Sequence, residues 1–164
     1  MDLLDRMLGY DAWAAGLALD VCRGLTDAQL DQPFDIGHGT LRETLAHVVG
    51  AFAYWTGQMT GEAPAPPPVE ASVDELVAWH GRVRAAFAVA ARRAHDEGRL
   101  DEVFRDRYDV PQSRGGTILQ VVAHGAQHRG EVRHMLARLG LENLLEGDPQ
   151  EWEPLTQPGL FPGA

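Results

Sequence analysis

The sequence predicts an all-α protein built as a four-helix bundle. Three observations carry this. Four long segments repeat apolar residues at steps of three and four. Three of them open on capping patterns. No segment alternates apolar and polar residues long enough to make a convincing sheet. Helices with one apolar stripe bury it against each other, and bundles place metal and ligand sites between facing helices.

The first helix is expected from about 2 to 24, with Leu3, Met7, Tyr10, Ala14, Leu17 and Val21 as its seam and Gly24 as its stop. The second is expected over 41–59. Thr40 and Glu43 form its capping pattern, and Leu41, Leu45, Val48, Phe52, Trp55 and Met59 its stripe. The run "GEAPAPPPVEA" then ends any helix, because proline lacks the amide donor and clashes with the preceding turn; it reads as a stiff surface connection. The third helix is expected over 73–96, capped by Ser72 and Glu75 and lined by Leu76, Trp79, Val83, Phe87 and Ala90. A charged, interrupted stretch follows, with a short extended piece around 103–107. The fourth helix is expected over 116–139, capped by Thr117 and Gln120 and stopped by Gly140. The tail is too rich in proline and glycine to be helical, so Trp152, Leu155, Leu160 and Phe161 are expected to pin an irregular chain to the bundle. The organisation is therefore a bundle over 1–145 and a packed tail over 146–164.

The net charge is −10 and every basic residue is arginine. An acidic chain repels phosphate backbones, so nucleic acid is excluded as a partner. No apolar run is long enough to span a membrane, and the start lacks the marks of a signal peptide, so a cytoplasmic protein with no membrane partner is expected. Cys22 stands alone and reads as a small apolar residue of the first helix.

The chemistry lies in the seven histidines. His124 and His128, in "VVAHGAQHRG", are one helical turn apart, with Cβ atoms roughly 6 Å from each other. On a helical projection His128 falls inside the apolar arc of Ile118, Val121, Val132 and Leu136, and His124 on its flank. Two such imidazoles can meet one divalent ion, since zinc and nickel take neutral imidazole at about 2.0–2.1 Å. The plainer reading makes both of them core histidines hydrogen-bonded to neighbours. Gly125 stands where a zinc protease carries its glutamate base, which removes that mechanism. A third ligand must come from another helix. Spacing leaves His47, His80 and His38 open for that place, with His38 read as exposed or locally hydrogen-bonded. His95 and His134 read as surface residues.

"YDAWA", "LRETLAHVVGAFAYW" and "VVAHGAQHRGEVRHMLARLG" resemble the DinB family, the DinB/YfiT-like metalloenzymes, over roughly 1–60 and 113–141. The family is distinct from the DNA polymerase of the same name. The resemblance implies an up-down-down-up bundle and a divalent metal, zinc or nickel, on His47, His124 and His128. Gln127 departs from the Thr or His frequent in relatives before the second histidine of the pair.

The resemblance also implies chemistry: transfer of a low-molecular-weight thiol such as bacillithiol or mycothiol, or thiol-assisted isomerisation of maleylpyruvate. Three protein ligands leave a coordination position for water or for a thiol. The expected activity is a metal-dependent thiol S-transferase, or a related hydrolase, acting on a small-molecule substrate, with a role in stress response. The alternative is a non-catalytic metal- or small-ligand-binding bundle. Glu131 is expected to orient an imidazole or to lie solvated on the surface. Tyr10 and Trp13 line a pocket mouth or pack between helices. Arg129 meets a cofactor carboxylate or pairs with a neighbouring helix. "AFAYW" and the aromatic tail offer surface for a homodimer.

Overall fold

A computed structural model describes residues 1–62, 66, 68, 71–142, 144 and 146–160. Four long helices form the bundle: α1 (Leu3–Cys22), α3 (Leu41–Thr60), α4 (Val73–Asp96) and α5 (Arg114–Arg138). Helix α1 packs on α4 and α5, and α3 packs on the same two, so α1 and α3 stand at opposite corners. Trp79 and Phe87 of α4, Leu41 and Val49 of α3, Leu19 of α1, and Val121, Val132 and Met135 of α5 fill the centre, each under 2% exposed. The stripes expected for α3 and α4 are the buried ones, apart from half-buried Trp55 and Ala90. Among the described residues no helix is long and apolar enough to cross a membrane.

The helix starts follow side-chain chemistry. Ser72 and Glu75 cap α4 reciprocally. Thr40 accepts the Glu43 amide at the head of α3, while the Glu43 carboxylate takes the Thr40 hydroxyl rather than its backbone. Helix α5 begins two residues earlier than expected: Ser113 is its cap, and Thr117 is fully buried, its hydroxyl turned back to the Ser113 carbonyl. Gly61 and Gly140 carry φ of +77° and +85° just past α3 and α5, the left-handed turn that glycine makes at no steric cost.

Helix α1 departs from its expected seam. Its buried line is Asp11, Ala14, Ala15, Leu19 and Cys22, whereas Leu3 is exposed and Met7, Tyr10, Leu17 and Val21 are half-buried. Ala14 of the expected stripe is in the core and Val21 packs against it, but most of the stripe borders the C-terminal segment: Leu3, Met7 and Tyr10 line a cleft with Trp152, and Leu17 and Val21 one with Leu144 and Gly147. A buried carboxylate reads as polar in a periodicity, so Asp11 concealed the true line.

Further elements lie outside the four long helices, and of these only the extended piece around 103–107 was expected. A turn of helix, α2 (Asp27–Leu30), is capped by Thr26 and Gln29. Arg42 ties it to α3 through Asp27 and Asp31 at 2.6 and 2.7 Å. Strands β1 (Val103–Arg105) and β2 (Pro111–Ser113) pair antiparallel, with Val103 opposite Ser113, and end the extended piece two residues short of 107. The tail, expected to be irregular, forms helix α6 (Pro149–Thr156), because Asp148 caps it and Pro149 occupies the first turn, where no amide bond is lost. Trp152 of α6 is buried against α1, and Leu155 and Leu160 are exposed. Phe161 and most of the proline-rich connection lie outside the described residues.

Candidate metal centre

His47 comes from α3 and His124 and His128 from the facing stretch of α5. His128 is 8% exposed, and His47 and His124 are half-buried. The Nε2 of His124 lies 3.1 Å from the Nε2 of His47 and 3.1 Å from the Nε2 of His128. The ring centroids of the three are 4.3–4.9 Å apart. One imidazole nitrogen offers a single in-plane proton or a single lone pair. The Nε2 of His124 therefore satisfies at most one of its two contacts by hydrogen bonding. Two nitrogens bound to one ion at 2.0–2.1 Å stand about 2.9 Å apart at a right angle and about 3.3 Å apart at the tetrahedral angle. The observed spacing falls between these values.

Glu131, one turn beyond His128, places a carboxylate oxygen 2.5 Å from its Nδ1. The Nδ1–H donates to that carboxylate, which leaves the lone pair of His128 on Nε2, facing His124. Burial, reinforced by the neighbouring histidines, pushes His47 down to about 4. Burial and the His128 and His38 rings also lower His124. Both are therefore neutral at pH 7, the form that binds a metal.

A fourth histidine borders the group. His38, exposed, stacks its ring on His47 with centroids 3.8 Å apart, and a nitrogen of each of His38, His47 and His128 lies within 4.8 Å of the others. This trio shares His47 and His128 with the 3.1 Å contacts around the Nε2 of His124. The loop that carries His38 is locked in place. Phe34 N–H donates to Gly39 O at 2.7 Å, and His38 N–H to the Thr44 hydroxyl, which itself donates to Thr40 O. Gly37, at φ +62°, has no room for a side chain: a Cβ there would stand 2.8 Å from Thr44 Oγ1 and from Met135 Cε.

The remaining candidates lie elsewhere. Arg129 pairs with Asp11 of α1 at 2.5 Å, 9% and 1% of the two side chains being exposed. Burial raises the Asp11 carboxyl to about 6 in spite of that cation. Gly125 makes the pair possible, since a Cβ there would sit 2.8 Å from Arg129 Nη1 and 2.9 Å from Asp11 Oδ1. Tyr10 lies under the Arg129 guanidinium at 5.4 Å. Trp13 lines a groove between α1 and α4 with His80 and Arg84. His80, open as a third ligand in the sequence, is buried in an edge-on contact with Phe52, and burial lowers it to about 4. His95 and His134 are exposed. Sequence reasoning missed Asp11 and Thr44; the only signal for Thr44 was its place one turn before His47.

The family model for the DinB family matches residues 1–146. The crystal structure of a DinB-like protein from Bacillus cereus is 23% identical and superposes with a TM-score of 0.66, over 83% of this chain and 89% of that one. At that identity the likeness speaks for the fold. No curated protein matches the sequence. With the DinB family model spanning the whole bundle, the chain belongs to the DinB family.

Proposed function

We propose that His47, His124 and His128 hold a divalent cation, zinc or nickel, and that the protein transfers a low-molecular-weight thiol to an electrophilic small molecule. The observation that carries the first half is the pair of 3.1 Å contacts at His124 Nε2, which hydrogen bonds alone leave unsatisfied. The neutral state of His47 and His124 and the carboxylate behind His128 support it. The second half rests on the resemblance to thiol-using DinB members and on a ligand set of three, which suits a site open to an entering ligand. A bound divalent ion supplies a lowered pKa to a coordinated thiol, so that thiolate forms near neutral pH. The residues of the chain keep the site ready: Glu131 holds the proton of His128 on Nδ1, and the bundle interior keeps His47 and His124 unprotonated.

Metal analysis of untagged protein by mass spectrometry tests the site. The expected result is close to one ion per chain in the wild type and almost none after His47→Ala, His124→Ala and His128→Ala together. Equal metal in both refutes the site. Conjugation of a thiol with monochlorobimane, with and without added metal, tests the activity; a rate independent of metal refutes the transfer reading.

A further inference from the structure

We infer that His38 is a fourth, displaceable metal ligand, parked on His47 when the coordination position is taken by an entering ligand and turned onto the ion when it is not. This rests on the metal site proposed above and concerns what occupies its remaining position.

The parked pose follows from the stack. The rings of His38 and His47 are 3.8 Å apart and within 28° of parallel. A ligand lone pair lies in its ring plane, so a ring stacked on His47 does not aim at an ion in the plane of His47. The nitrogens of His38, His47 and His128 are nonetheless within 4.8 Å of each other. Ligands to one ion need about 2.9–3.3 Å, so the separation the His38 nitrogen must close is at most about 2 Å, on the scale of a side-chain rotamer change. The ring is exposed, and among the described residues it makes no hydrogen bond that would oppose the turn. Its backbone, by contrast, is fixed: the His38 amide is bonded to Thr44, and Gly37 is wedged against Thr44 and Met135, with Glu131 just beyond. A fixed backbone with a free ring makes a swinging ligand rather than a loose loop. The competing ligand it admits is a small soft donor, a thiolate.

Cobalt(II) gives a readout independent of turnover. Apo protein is loaded with cobalt, and its visible d–d spectrum is recorded for the wild type, His38→Ala and Gly37→Ala, each then titrated with 2-mercaptoethanol. Removing His38 is expected to change the spectrum while leaving one cobalt per chain, and to weaken cobalt binding about tenfold, in the range of lost supporting contacts. The sulfur-to-cobalt charge-transfer band is expected at several-fold lower thiol concentration in His38→Ala, because its competitor is gone. Gly37→Ala keeps the ring but unseats the loop and is expected to move in the same direction. A His38→Ala spectrum and thiol titration identical to the wild type, with cobalt fully bound, overturns the role of His38 and leaves the triad intact. Failure of the wild type to bind cobalt overturns both.

Discussion

Gly125→Ala sets two effects of known size against each other. In an exposed helix interior the change stabilises by up to about 1 kcal/mol, because alanine loses less backbone entropy. At position 125 the added Cβ stands 2.8 Å from Arg129 Nη1 and 2.9 Å from Asp11 Oδ1. Both are ends of side chains, but they are 9% and 1% exposed, so giving way means parting a buried ion pair. Breaking such a pair costs about 3–5 kcal/mol. The expected net loss is about 2–4 kcal/mol, or roughly 5–15 °C in Tm for a chain of this size. Gly130, on the same helix, meets nothing within 4 Å, so Gly130→Ala is the control and is expected to gain up to about 1 kcal/mol. Urea unfolding at pH 7.5, above the raised value of Asp11, measures both. At pH 5 the carboxyl is largely protonated and the penalty of Gly125→Ala should shrink. Equal stability of the two variants at pH 7.5 would refute the account of Gly125 as the space the pair needs.

His80 is held near 4 in the fold against 6.5 ordinarily, so as pH falls through 6.5 the unfolded chain takes the proton first and stability drops. Between pH 7 and pH 5 the wild type should lose about 2 kcal/mol more than His80→Gln by urea midpoint; a comparison of the two cancels Asp11, which works in the opposite direction in that window. Glu131→Gln should weaken metal affinity about 10–100-fold in a chelator competition while the fold persists, through the lost carboxylate on His128 Nδ1; an unchanged affinity sinks that role. Cys22, fully buried and pushed up to about 12, should resist a thiol reagent in native buffer and react at once in denaturant.

The helical periodicity of α3, α4 and α5 reported what those helices bury, because their stripes face one another across a single core. It misreported α1 for a physical reason. That helix has two apolar faces, one on the core and one under α6, and a charged residue sits on the first. Periodicity sees side-chain type, and only a partner such as Arg129 turns a carboxylate into a core residue. The convergence of His124 and His128 was visible from their spacing. The place of His47 beside them needed the family resemblance, since spacing alone did not choose between His47 and His80 and read His38 as exposed or locally hydrogen-bonded. The stack of His38 on His47 depends on a loop whose course is set by Gly37 and Thr44, contacts between segments that no local pattern encodes. The helix in the tail was missed because proline was counted as a breaker without regard to position, and at the head of α6 it is a starter.

Gly9 leaves a dent one side chain deep on the outer face of the first helix, and the indole of Trp152 drops into it so closely that a Cβ there would lie 2.8 Å from Cζ2. A shortened protein ending near residue 145 would keep all its long helices yet carry a greasy socket open to water. Such a fragment should stick to its own copies.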